Sequence, residues 1–214
     1  MLEIITFVLG MVDTNTYLVA DESTQEAVVI DPAWQGEYIV EEARQRGWSI
    51  QHIWLTHAHF DHIAGVTGVA KSLNPVPPVA LHPDDLGLWN MQGGAGLFGF
   101  HIDPGPRPSI LLRESQKLKV GDIFFEVRHA PGHSPGHVVF FSEDEKVAFC
   151  GDVIFAGGIG RTDLPGGNYY QLLNSIRTQI FSMPDETRLL SGHGPETSVA
   201  EERRYNPFLT ELVE

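Results

Sequence analysis

The sequence predicts an α/β sandwich, two β-sheets with helices on their outer faces. Short β-branched runs alternate with amphipathic stretches along the chain. The second half repeats the rhythm of the first. With 214 residues, 42% of them hydrophobic, the chain can build one large domain or two small halves sharing a core.

Residues 3–9 (EIITFVL), 16–20 (TYLVA) and 26–32 (EAVVIDP) read as strands. Residues 36–47 place Tyr38, Ile39, Glu42, Ala43 and Arg46 at helical spacing and end on Gly47, a good C-cap. A buried strand follows at 50–56, then a helix at 62–73, a strand at 77–83 and a short helix at 84–91. Residues 92–108 hold five glycines and three prolines among Leu97, Phe98 and Phe100. Such a segment suits a lid over a pocket, or equally a plain surface excursion. Strands are expected at 122–130, 136–143 and 146–152. A helix at 168–181 carries Leu172, Leu173, Ile176 and Ile180 on one face; strand 187–193 and helix 198–206, stopped by Pro207, complete the series. Periodicity leaves the order of the strands open.

Composition bounds function. Lysine plus arginine total 14 against 28 acidic residues, a formal charge of −14. No basic stripe exists to neutralise phosphates, which argues against nucleic acid and against anionic membrane surfaces. No apolar run approaches the ~18 residues of a membrane-spanning helix. The first ten residues lack a basic start and a cleavage site, so they read as a strand, not a signal peptide. A cytoplasmic location is the default expectation. The single cysteine, Cys150, excludes an internal disulfide and reads as a small core residue.

The chemistry is concentrated in THAHFDH, residues 56–62. His57, His59 and Asp61 are spaced i, i+2, i+4, which puts them on one side of an extended segment. They follow the apolar run Ile53, Trp54, Leu55, at the carboxyl end of a buried strand, where open α/β sheets place their sites. His62 opens the next helix and can turn into the same pocket. Asp61 alone would also serve as a helix N-cap. His133, Asp152 and His193 recur in one local context, a polar residue closing an apolar strand beside glycine. Together these residues make the ligand set that a two-metal site needs.

The series His57-x-His59-x-Asp61-His62, then His133, Asp152 and His193, resembles the metallo-β-lactamase superfamily, most closely its glyoxalase II (hydroxyacylglutathione hydrolase) branch. The likeness runs from Asn15-Thr16-Tyr17 to the GHGPET and NPF segments near the end. It implies an αββα four-layer sandwich, one domain over 1–214, without the extra C-terminal helical domain of glyoxalase II. It implies that His57, His59 and His133 hold one metal, that Asp61, His62 and His193 hold a second, and that Asp152 bridges them. Asp61 and Asp152 are thereby the candidate catalytic carboxylates. Two divalent ions are expected, zinc first, with iron or manganese as alternatives. A water between them would ionise near neutral pH, from about 15.7 toward about 7, and attack an acyl carbon. The implied activity is hydrolysis of a small-molecule thioester or related acyl bond, such as a hydroxyacyl-thiol. Asp31 reads as a hydrogen-bond partner for a ligand histidine. His137 reads as a supporting residue, and His52, His82, His101 and His129 have no ligand context.

The chain departs from glyoxalase II at the substrate contacts. The position of its lysine holds Arg161, the position of its tyrosine holds Asp163, and no tyrosine follows His193. Arg161 and Asp163 are candidate substrate-binding residues, or a structural ion pair beneath the site. The GRTD segment (160–163) is also similar to the persulfide dioxygenase branch, whose single iron would here take His57, His133 and Asp152. The sequence leaves the oligomeric state open.

Overall fold

Two six-stranded sheets stack face to face in the computed structural model, which describes residues 1–209. The last residues of the expected 1–214 domain, 210–214, lie outside the described part. The first sheet runs in chain order: β1 (Leu2–Leu9), β2 (Thr14–Asp21), β3 (Glu26–Ile30), β4 (Ser49–Trp54), β5 (Val79–Leu81) and β6 (Ile110–Leu111). β1 to β3 are antiparallel and β3 to β6 are parallel. The second half supplies β7 (Lys117–Val120), β8 (Ile123–His129), β9 (Val138–Ser142) and β10 (Val147–Gly151). A small hairpin of β11 (Ile154–Phe155) and β12 (Gly158–Ile159) follows, then β13 (Arg188–Ser191) and β14 (Thr197–Ser198). The second sheet is ordered β14-β13-β10-β9-β8-β7, with β10 and β13 parallel.

Helices cover both outer faces. The first half provides α1 (Gly36–Gln45), α2 (Phe60–Ile63), α3 (Val66–Ser72) and α4 (Leu86–Asn90); the second provides α5 (Tyr169–Ser175) and α6 (Val199–Tyr205). The inner strands β2, β3, β9 and β10 are buried on both sides because each separates two cores. On β2 and β3, Tyr17, Val19, Val28 and Ile30 face the second sheet, meeting Phe125, Phe140 and Phe149. Leu18, Ala20, Ala27 and Val29 face the other way, onto Ile39, Val40 and Ala43 of α1 and Val66 and Val69 of α3. On the far side, Val139, Phe141, Ala148 and Cys150 meet Leu172 of α5, Ile176 and Val199 of α6. Three cores between four layers make the αββα sandwich. No helix among the described residues is long and apolar enough to cross a membrane.

Several elements differ from expectation. The helix expected at 62–73 is two, α2 and α3, broken at Gly65. The Gly65 N–H bonds the Pro32 carbonyl at 2.8 Å, and a Cβ there would lie 2.8 Å from that oxygen, so the chain must bend to let the first-sheet loop pass. The helix expected at 168–181 relaxes after α5 into a π-helical turn at 176–180. Residues 92–98 form 3₁₀ turns in which Gly93 and Gly94 take φ +65° and +76°. β6, β7, β11, β12 and β14 carry no strand signal that the sequence reading resolved; all but β7 are two residues long. Gly47 does end α1 in the left-handed region (φ +75°), its N–H bonding the Arg44 carbonyl at 3.0 Å.

Candidate metal centre

Every predicted ligand leaves the sandwich at one edge. His57, His59, Asp61 and His62 follow β4, His133 lies in the β8–β9 loop, Asp152 follows β10 and His193 follows β13. Their strands all present carboxyl ends to this edge. The structure brings the seven side chains together. Ligand atoms of His57, His59 and His133 lie within 4.8 Å of one another, as do those of Asp61, His62 and His193. Asp152 stands between the two groups: its Oδ1 is 3.3 Å from His62 Nε2, and its Oδ2 is 3.5 Å from His133 Nε2 and 3.6 Å from His193 Nε2. Asp61 Oδ2 lies 3.4 Å from His62 Nε2 and 3.3 Å from His193 Nε2.

Each imidazole but one is oriented by a partner on its outer nitrogen. His62 Nδ1–H donates to Asp31 Oδ2 at 2.9 Å. His57 Nδ1–H donates to Thr56 Oγ1 at 3.0 Å, and that hydroxyl donates to Asp31 Oδ2 at 2.6 Å. His133 Nδ1–H donates to the Arg161 carbonyl at 2.8 Å, and His193 Nδ1–H to the Val12 carbonyl at 3.1 Å. The Nε2 atoms of all four face inward. His59 instead points Nδ1 inward, 2.8 Å from His133 Nε2. Among the described residues, buried His57 Nε2, His62 Nε2 and Asp152 Oδ1 make no hydrogen bond of acceptable geometry. Unpartnered buried nitrogen and carboxylate atoms converging on one point are what a divalent cation satisfies. Glycine makes the room: a Cβ on Gly192 would lie 2.2 Å from Asp152 Oδ1 and 2.6 Å from His62 Cε1.

The electrostatics match the donor set. Burial, then the neighbouring histidines, push the His57 imidazole well below its usual range, and burial with His133 pushes His59 down to about 3. Both are therefore neutral donors near pH 7. Burial also opposes charge on His62 and His193, but the carboxylates of Asp61 and Asp152 outweigh it, raising His62 well above its usual value and His193 to about 10. Burial disfavours the Asp152 carboxylate, and His62 with the other imidazoles more than reverses this. Cations entering here would displace those protons.

Three supporting residues, Asp85, Thr14 and Thr56, were not foreseen, and His137 takes the supporting place expected of it. Asp85, fully buried at the end of the 3₁₀ turn Pro83–Asp85, accepts from Ala58 N–H at 3.0 Å, Ser134 Oγ at 2.8 Å and Gly136 N–H at 2.6 Å. It ties the His57–His59 segment to the His133 loop. Thr14 Oγ1 donates to Asp61 Oδ2 at 3.1 Å; Asp61 sits in the first turn of α2 rather than capping it. Thr56 relays Asp31 to His57. His137 stacks on His57 with centroids 4.7 Å apart, and its Nε2 accepts the Asp152 N–H at 3.0 Å. The sequence signal for Asp85 was only an acidic residue opening a short helix. Arg161 and Asp163 form a bidentate pair at 2.7 and 2.8 Å, with both side chains exposed. His82 and His129 stack face to face with centroids 4.2 Å apart beside Asp84. Their nitrogens already meet Asp84 N–H at 3.3 Å and the Pro135 carbonyl at 3.0 Å. Burial raises the Cys150 thiol well above its usual range, leaving it a core residue.

A cavity of about 530 Å³ opens on the two clusters. The segment 92–108 contributes Gly93, Leu97, Phe98 and Phe100 to its side. A Cβ on Gly93 would lie 2.3 Å from Phe60 N, so at this point the segment packs directly against the backbone that carries His59 and Asp61.

An αββα sandwich with histidine–aspartate clusters at one edge defines a metal-binding enzyme scaffold. The sequence profile described as the metallo-beta-lactamase superfamily matches residues 9–193, and the chain belongs to that superfamily of metallo-hydrolases. It is 34% identical over 196 residues to hydroxyacylglutathione hydrolase GloC of Haemophilus influenzae, covering 91% of this chain and 92% of that one. Among solved structures it is similar to BLEG-1 B3 metallo-beta-lactamase, 38% identical with TM-score 0.89, covering 98% of this chain and all of that one (100%). It is also similar to TTHA1623 in a di-iron-bound form, 39% identical with TM-score 0.86, covering 96% and 100%.

Proposed function

We propose that the protein is a two-metal hydrolase of small-molecule thioesters or related acyl bonds. The observation that carries this reading is the placement of Asp152, within 3.3–3.6 Å of His62, His133 and His193, between two three-residue clusters. His57, His59 and His133 would hold one cation, Asp61, His62 and His193 the other, with Asp152 shared. When bound, such a pair supplies an activated water as nucleophile and a Lewis acid for the carbonyl oxygen. The chain's own residues do the rest. Asp31, Thr56 and the Arg161 carbonyl fix the imidazole tautomers. Phe60, Phe98 and Phe100 line one side of the cavity beside the metal-binding groups. Arg161 stands in the cavity lining, where it can take a substrate carboxylate from Asp163.

The likeness to hydroxyacylglutathione hydrolase GloC supports a thioester as the scissile group. A one-iron persulfide dioxygenase would use His57, His133 and Asp152 and would leave the second cluster, Asp61, His62 and His193, without a role. The charge of −14 supports a small-molecule substrate over nucleic acid or an anionic membrane. The protein is loaded in turn with zinc, iron and manganese, analysed for metal content, and assayed with S-lactoylglutathione and with glutathione persulfide. Two metals per chain with thioester hydrolysis is expected. Two bound metals with every thioester left intact would remove the proposal, and one iron with oxygen uptake would replace it.

A further inference from the structure

Resting on the hydrolase reading, we propose that this site selects thioesters whose acyl group is bulky and apolar, aromatic or branched aliphatic, over small polar acyl groups. Beyond the metal-binding side chains, the cavity is walled by Phe60, Leu88, Met91, Leu97, Phe98 and Phe100 on one side, and Arg161 is the charged residue in its lining. That guanidinium is held bidentately by Asp163. A polar, multiply charged substrate would find a single cation, which it must take from Asp163, and no other ionic partner in the wall.

The wall starts at the reacting centre. Phe60 lies between His59 and Asp61 in the chain, and its ring is 5.3 Å from Phe98 and 6.0 Å from Phe100. Trp34 backs it edge-on at 6.1 Å. Gly93, in a left-handed conformation, packs directly against the Phe60 backbone, beside the three rings. An acyl substituent held at the metals therefore lies along a preformed aromatic surface. Met91, Leu97 and Phe98 stand 61%, 67% and 43% exposed. A small hydroxyacyl group leaves that apolar area in water, whereas an aryl or branched chain covers it.

The test uses the metal-loaded protein and N-acetylcysteamine thioesters, so that the thiol stays neutral and constant. kcat/KM for phenylacetyl and isovaleryl thioesters is expected to exceed that for acetyl and lactoyl by about 10- to 100-fold. Phe98→Ala and, separately, Leu97→Ser should each cut the phenylacetyl-to-acetyl ratio by about 5-fold or more. Calorimetry on the metal-free protein gives a readout without turnover. The S-phenethyl thioether analogue should bind more tightly than the S-ethyl one, with a negative heat-capacity change. Hydrolysis in which acetyl equals or exceeds phenylacetyl overturns the inference and leaves the hydrolase reading standing. A preference that survives in both folded variants also overturns it. If no thioester is hydrolysed, both fall. The wild-type series decides even if one variant fails to fold.

Discussion

Asp85 shows how much of the centre depends on a residue that touches no proposed ligand side chain. Its buried carboxylate gathers two backbone N–H groups and a hydroxyl from segments 27 and about 50 positions away. Burial raises its pKa, and the bonds from Ser134, Gly136 and Ala58 work to keep it ionised. Removing it strands those donors and frees the two ligand loops from each other. Asp85→Ala should cost about 3 kcal/mol, read in urea titration, and weaken metal binding about 10- to 100-fold in equilibrium dialysis. A variant that unfolds earlier yet binds metal as well as the parent would limit Asp85 to stability. The sequence disclosed the ligands because they crowd into one heptapeptide and recur beside glycine at strand ends. It disclosed Asp31 for the same reason, as a polar residue closing an apolar strand. Asp85 and Thr14 left no such trace, since their meaning lies in partners brought from distant elements. His82 and His129 were read as ordinary, and the structure finds them stacked on each other with their nitrogens partly engaged.

At the scale of elements, strand ends and tight glycines set the geometry. The longer strands were legible because they are rich in β-branched and aromatic residues over five or more positions. β6, β11, β12 and β14 were not, since two residues carry no period. The break between α2 and α3 was hidden for a related reason: the apolar pattern continues through Gly65 while the Pro32 carbonyl bends the backbone. The turn after β13 makes its demand at Gly192, where any side chain would enter the space between Asp152 and His62. Gly192→Ala should therefore lower metal affinity at least about 10-fold while far-UV circular dichroism stays native. Gly87→Ala in α4 is the control, since a Cβ there meets nothing within 4 Å. Equal metal loss in both variants would defeat the steric argument.

At the scale of the whole molecule, the two sheets are fastened at opposite ends. At one end the proposed ligands come from both sheets, His57 to His62 after β4 and His133, Asp152 and His193 from the second sheet. Metal at about 100 times its Kd should add about 2.7 kcal/mol, so stripping it with a chelator should lower Tm by roughly 5–11 °C in scanning calorimetry. An unchanged Tm in protein shown to have bound metal would mean that the ions do not link the sheets. The ligand set of this junction was legible in the sequence, but not that it joins two sheets, because hydrophobic periodicity gives strands without their order. The junction at the other end was not visible at all. Asp21 closes β2 and is 1% exposed. Its Oδ2 accepts the Asp122 N–H at 3.0 Å across to the second sheet, and its Oδ1 accepts Ser23 N–H and Oγ at 3.0 and 2.7 Å. The Asp122 N–H, then the Ser23 hydroxyl, hold this carboxyl well below the usual carboxylate range. A depressed folded-state pKa means that the stabilisation is complete above the unfolded value of about 3.9 and fades as pH falls through the folded one. Metal-free Asp21→Asn should be less stable than the parent by ~1 kcal/mol at pH 7 and pH 5, with the gap narrowing below about pH 4. Urea midpoints of both proteins at pH 7, 5 and 3 measure it. A gap that persists undiminished at pH 3 would show that the clasp does not depend on the charge of Asp21.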